Sequence, residues 1–249
     1  MKITPGGVVA AEWTKFSSLR STWITTGISV LLLIAFGMIA SASFSGDTMT
    51  SVDLALSGSI LAALSVGVLG ALLGASEYTT GMIRATLATV PRRSPVLWSK
   101  SLVAGAAAFV TMTIGAFAAF ALGSAVLNEK VGGLGLGDDG VLRALLGAGL
   151  YLGLVAVLGV ALGMLVRSSA GAIAILTGAL LVVPVLAPLL PDAISDAVTP
   201  YLPGNAGSAV MALAPAEGTL SPWAGLAVFA GYVAVTLAAA AYRLKKTDA

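Results

Sequence analysis

Six long apolar stretches follow one another along the chain, at about Trp23–Phe44, Leu54–Ser76, Leu102–Leu127, Leu142–Val166, Gly171–Leu190 and Trp223–Tyr242, with short polar connections between them. Each is about 20 residues or more, enough for a helix to cross ~30 Å of hydrocarbon. None holds a charged residue near its middle, where insertion would cost roughly 2.5–3.5 kcal/mol. The pattern predicts an all-α polytopic membrane protein: six transmembrane helices forming one transmembrane domain over residues 1–249.

A different period precedes the first stretch. Over Pro5–Arg20, Val9, Trp13 and Phe16 recur at i, i+4, i+7, with Glu12 and Lys15 on another face. Residues 1–22 are therefore expected to hold an amphipathic helix lying in the interface, with Trp13 and Trp23 as anchors. A second short helical period lies in the connection 77–101. There Ile83, Leu87 and Val90 form one apolar stripe, Pro91 ends it, and Arg92 and Arg93 follow. Such a helix could fill a groove on a partner protein or lie on anionic lipid. In the last long connection, 191–222, the apolar patch Ala206–Ala214 could dip back into the membrane or remain an external loop. Pro184 and Pro188 predict a broken outer half of the fifth span. Gly70/Gly74, Gly149/Gly153 and Gly159/Gly163 have the spacing of small-residue packing surfaces, with no particular seam assigned.

Composition agrees, since 58% hydrophobic and 10% charged residues are too apolar for an ordinary soluble domain. The charges orient the chain. With the N-terminus in the cytoplasm, eleven basic residues fall inside and only Lys130 and Arg143 outside. Both termini are expected to be cytoplasmic. Ala40-Ser41-Ala42 resembles a signal cleavage site, but the preceding apolar run exceeds the ~7–15 residues of a signal core. Arg143 stands four residues after Asp139, an ion-pair spacing, and is read as a structural anchor.

Three places in the sequence resemble one family. Glu77-Tyr78-Thr79-Thr80-Gly81-Met82-Ile83-Arg84, running on to Pro91-Arg92-Arg93, resembles the loop between the second and third spans of type-2 ATP-binding-cassette (ABC) exporter permeases, especially actinobacterial ones. Glu12-Trp13-Thr14-Lys15-Phe16 with Leu19-Arg20-Ser21-Thr22-Trp23 is similar to the entry segment of that family, and Leu202-Pro203-Gly204-Asn205-Ala206 to its outer loop before span 6. The resemblance implies a permease subunit that exports its cargo with ATP hydrolysed by a separate ATPase. The loop helix would be a coupling helix on that ATPase, carried by Glu77, Tyr78, Met82, Ile83, Arg84, Leu87 and Val90. Trp13, Phe16 and Lys15 would belong to the interfacial helix. A second copy or a sister permease would complete the path. Glu77, at the hinge, would pair with a cation such as Arg84 or Arg20.

Other classes are weaker on the residues present. The chain lacks the Gly-x-x-x-x-Gly-Lys-Ser/Thr phosphate loop. ATP and Mg are thus expected only in the partner, and no cofactor, metal site or nucleic-acid partner is expected here. Without His or Cys, zinc sites of the usual kind and His-activated nucleophiles are excluded. A hydrolase would need a Ser/Lys pair, and Lys100 at the membrane edge has no evident serine poised with it. An ion-coupled secondary transporter would usually bear acids inside its spans, though Pro184/Pro188 keep backbone-carbonyl coordination open. A non-transporting regulatory or anchoring subunit is the remaining alternative. The cargo path is expected along spans 2 and 5 at a dimer interface, with Ser57, Ser59, Ser65 and Thr177 as lining candidates, in the inner (plasma) membrane. The scarcity of intramembrane charge suggests an apolar or amphiphilic cargo.

Overall fold

The computed structural model describes residues 5–44, 46, 49–79, 94–127, 133–216 and 218–246, and among them every regular element is helical. Helix α1 is Pro5–Ser18 and α2 is Arg20–Ser43, with Leu19 extended between them. The break falls inside the expected 1–22 segment, so residues 20–22 already belong to the first crossing. An aromatic corner fixes it: Trp13 stacks on Phe16, Phe16 meets Trp23 edge-on, and the Trp23 Nε1–H donates to the Ser17 carbonyl at 2.9 Å.

The second crossing starts with a short helix, α3 (Ser51–Ala55), closed by a reciprocal cap between Thr50 and Asp53, then bends into α4 (Ser59–Thr79). Helix α5 (Ser94–Val126) has 33 residues, about 50 Å of helix, and overruns the bilayer core. The connection expected over 77–101 is therefore shorter. Glu77 and Tyr78 are on α4, Lys100 is on α5, and Met82, Ile83, Arg84, Leu87 and Val90 lie outside the described residues. Helix α6 (Val141–Val166) follows. The fifth crossing is segmented: α7 (Ser169–Thr177), a π turn (Gly178–Val182), α8 (Val183–Leu186) and a 3-10 turn (Ala187–Leu189). The last crossing is α11 (Pro222–Lys246). Among the described residues, six stretches are long and apolar enough to span a membrane.

Helix α6 is the hub, buried over most of its surface from Val141 to Met164, with Leu142, Leu146 and Leu150 forming an exposed stripe in its first half. Its tightest partner is α4. A Cβ on Gly70 or Gly74 would collide with the carbonyls of Ala156 and Val160, and one on Gly159 or Gly163 with those of Gly67 and Ala71. Glycine is required at this seam because backbone meets backbone. Gly70/Gly74 and Gly159/Gly163 thus serve one seam inside the chain, whereas Gly149/Gly153 face Gly105, Phe109 and Thr113 of α5. Helix α2 shows the inverse of a soluble pattern. Its buried face is Thr22, Thr26, Ser29, Leu33, Gly37 and Ser41, whereas Ile24, Ile28, Leu31 and Ile39 point outward. Lipid solvates that outer face, while the small face permits close packing.

The segment before α11 is built of short helices: α9 (Asp192–Val198), a 3-10 turn (Thr199–Tyr201), α10 (Pro203–Ser208) and a 3-10 turn (Ala209–Met211). Gly207 lies against the rings of Tyr151 and Phe229, and Val210 against Gly147. Tyr151 is about 15 Å along α6 from its start, so this segment packs well down the flank of the bundle.

Candidate functional site

One end of the bundle carries Lys15, Lys100, Arg167 and Arg243; it is called the basic end below, and the opposite one the far end. At the basic end three helices meet around four charges. Helical spacing selects them: Glu12 and Lys15 are one turn apart on α1, Glu77 is in the last turn of α4, and Lys100 is two turns into α5. Lys100 Nζ donates to Glu12 Oε2 and to Glu77 Oε1, both at 2.9 Å. Lys15 Nζ donates to Glu12 Oε1 at 3.0 Å and to Glu77 Oε1 at 3.1 Å. The result is a closed square of alternating charge. Glu12, Glu77 and Lys100 are buried, and Lys15 is half exposed.

Net charge over the square is zero, and burial makes its members interdependent. Removing one leaves an uncompensated charge in a low-dielectric setting. Burial pulls the Lys15 ammonium down, but its hydrogen bonds to Glu12 and Glu77 outweigh that and hold it above the ordinary lysine value. Glu77 Oε1 accepts both lysines, while its Oε2 is buried with no partner among the described residues. Beside the square lies a cavity of about 290 Å³ walled by Phe16, Leu19, Leu73 and Val103.

This geometry changes three expectations. Glu77 pairs with Lys100 and Lys15; Arg20 is exposed and outside the square, and Arg84 lies outside the described residues. Glu12 is on the buried face of α1 with Val8 and Phe16, and it is Trp13 that faces outward. The apolar period on α1 is shifted by one residue, with Trp13 turned away from the bundle. Lys100, expected at a membrane edge, is inside α5 and engaged by two carboxylates, so it is no free base. A signal for the pair existed: an acid and a base end adjacent antiparallel apolar runs, on either side of one loop.

Next to Glu77, Tyr78 lies under the Arg167 guanidinium, 5.1 Å from ring centroid to charge. Arg167 ends α6 in a left-handed conformation (φ 61°), and Arg243 of α11 donates to the carbonyl of Leu165 in the same last turn. Helix C-terminal carbonyls lack intrahelical donors, and a cation there also suits the dipole. The end of α4 thus touches α1 and α5 through Glu77, and α6 through Tyr78.

The four lining candidates do not gather. Ser65 receives a 2.7 Å hydrogen bond from Ser29 of α2. Ser57 donates to the Phe36 carbonyl at 3.1 Å. Ser59 and Thr177 are half-buried, on α4 and α7. At the far end Arg143 is an anchor with partners other than Asp139. It donates to the carbonyls of Val210 (3.1 Å), Ala212 (2.9 Å) and Leu213 (3.0 Å). Among the described residues no group of side chains could hold a metal ion.

A comparison with family models matches residues 8–187 to the ABC-2 family transporter protein model. The match runs from α1 to the end of the fifth crossing, well over half of the chain. The search of curated proteins gives no match. Proteins of this family are membrane transport subunits that normally work with an ABC ATPase in a lipid membrane. With the family model spanning the ion square, the α4–α6 seam and five of the six crossings, the chain belongs to the ABC-2 transporter family and is a multi-pass, membrane-spanning permease subunit of an ABC transporter.

Proposed function

We propose that this permease exports an apolar or amphiphilic compound, with its basic end in the cytoplasm and a separate ATPase seated on residues 80–93. The observation that carries the reading is the position of the square. Glu77 and Lys100 bracket that connection, one on each leg, 2.9 Å apart. Both legs are tied through Glu12 and Lys15 to α1. Displacement of the connection by the ATPase would therefore move α4, α5 and α1 together. Mg and ATP belong to that partner. A second copy or a sister permease would complete the path, lined along α4 and α7–α8 with Ser57, Ser59, Ser65 and Thr177 as candidates.

An apolar cargo suits these walls. Ile60 on α4, and Ile175, Val182 and Val185 on the fifth crossing, are all exposed in the single chain. The test is purification of the tagged chain in mild detergent with its ATPase, followed by cargo-stimulated ATP turnover. Arg84→Glu and Leu87→Asp should insert normally but release the ATPase or uncouple turnover. Normal stimulated turnover in both variants would end the coupling role. Transport on an ion gradient, by vesicles holding this chain alone and consuming no nucleotide, would establish the secondary-transporter alternative instead.

A further inference from the structure

The cavity beside the ion square is not needed to tie α1 to the loop legs, yet it is built for an occupant. Its walls come from three helices at helical spacing: Phe16 and Leu19 at the α1–α2 corner, Leu73 on α4, and Val103 one turn beyond Lys100 on α5. Its floor is polar. Lys15 and Lys100 each carry three N–H donors and spend two on carboxylates. Lys15 is the accessible one of the two, with 41% of its side chain exposed. The residues preceding two of the apolar walls face outward: Leu72 and Leu102, with Trp98 a turn earlier on α5. The mouth is therefore flanked by lipid-facing side chains, and Trp13 on α1 and Trp23 on α2 are exposed as well.

We propose that this cavity is a binding site for one anionic phospholipid of the adjacent leaflet. Its phosphate takes the unspent Lys15 N–H, and its first methylenes lie against Phe16, Leu73 and Val103. At about 290 Å³ the space is at the small end of ligand cavities. It suits a head group and the start of a chain, with the remainder left in the bilayer. Charge favours an anion, because the four-membered square is neutral in itself, its two carboxylates, which also line the cavity, are buried, and the member open to an incoming group is the Lys15 ammonium. Arg20, exposed directly after Leu19, adds a second cation. Occupancy would share the Lys15 charge between phosphate and carboxylates and so act on the joint of α1 with the loop legs. The inference needs the membrane-spanning fold only, and no ATPase.

The test uses the full-length chain in nanodiscs of phosphatidylcholine containing a minority of phosphatidylglycerol, extracted into neutral detergent and weighed by native mass spectrometry. Wild type should retain one phosphatidylglycerol in preference to phosphatidylcholine. Val103→Trp fills the cavity and leaves the square intact; it should weaken retention by about tenfold or more. Lys15→Gln should abolish the preference for the anionic head, while the double variant Lys245→Gln/Lys246→Gln, in the last turn of α11, should leave it unchanged. Equal retention by Val103→Trp and wild type would overturn the proposal. So would an unaltered preference in Lys15→Gln, or capture of water-soluble dodecyl phosphate without any phosphatidylglycerol, which would mark the cavity as a cargo pocket.

Discussion

The two ends of this bundle are held by different chemistry. At the basic end, α1, α4 and α5 are joined side chain to side chain: two lysines and two glutamates close a square. At the far end, one side chain binds backbone: Arg143 at the start of α6 collects the carbonyls of Val210, Ala212 and Leu213. The difference follows from what needs satisfying. Helices α1, α4 and α5 meet as regular helices, so charged side chains can specify their arrangement. The segment 203–213 has two short helical pieces and leaves carbonyls without partners, which a five-donor guanidinium suits better than an ammonium. A square of charges can exchange partners while its members move together. A cation on three carbonyls fixes one loop shape.

The hardest break of the comparison is Lys100→Met. It strands Glu12 and Glu77 with only the half-exposed Lys15, and loss of one member of a buried ion group costs about 3–5 kcal/mol. Thermal unfolding in mild detergent should show that loss. The sharper form adds Glu12→Gln and Glu77→Met to it, which removes the buried charge altogether. Stability should then recover in large part, while ATPase-coupled turnover should not. Full recovery of turnover would mean that the square only packs helices.

Arg143→Met should cost less, about 1.5–3 kcal/mol for lost charge-assisted hydrogen bonds at a half-buried site. Its effect should be local. Cysteine labelling at Ala212→Cys should accelerate, while the α4–α6 seam stays closed and the basic end keeps its stability. If Arg143→Met loosens the whole bundle as Lys100→Met does, the two ends are not the separate devices described here.

Much of this was legible before any coordinate. The six crossings follow from length and apolarity, because a bilayer demands ~20 such residues per helix. The break in the fifth crossing follows from Pro184 and Pro188, although the π turn just before them has no sequence signature. The site was half legible. Glu77 stood out as an acid at the end of an apolar run, but its partners are 62 and 23 residues away, on helices whose rotation no periodicity fixes. On α1 the apolar period misled by one residue. Tryptophan counts as apolar in a pattern and yet prefers the lipid interface, so Glu12 was assigned to the wrong face. Arg143 was legible as an anchor and illegible in its partners, since backbone carbonyls 67 to 70 residues away leave no trace in composition.

A smaller probe of the far end is Tyr232→Phe. The Tyr232 hydroxyl donates to the carbonyl of Tyr201 at 3.0 Å, linking α11 to the turn before α10. The pair lies ten residues into the last crossing and faces lipid, where an interhelical hydrogen bond adds little on average, so the cost should stay within about 0.5–1 kcal/mol. Combined with Arg143→Met the two losses should exceed their sum, because both pin the segment 199–213 to neighbouring helices. Strict additivity would show that the segment is held by apolar packing around Gly207 and Val210, and that its hydrogen bonds are incidental.

The mildest prediction returns to the basic end. Lys15 is half exposed, so its two ion pairs are screened, and Lys15→Gln should cost only about 0–1 kcal/mol. Its pH dependence carries the information. The folded protein holds the Lys15 ammonium above the ordinary value of 10.5, so its stabilisation is complete below that pH and is lost as pH rises through the raised value. Between neutral pH and 9 the difference between wild type and Lys15→Gln should therefore be flat, and above 10.5 it should shrink. Lys100 closes the square with the same two glutamates, so Lys15→Gln should leave α1 docked, whereas Lys100→Met should release it. An amide-exchange comparison of α1 in the two variants reads that directly. Equal exchange in both would show that the half-exposed lysine holds the interfacial helix as firmly as the buried one, and that burial is not what ranks the members of the square.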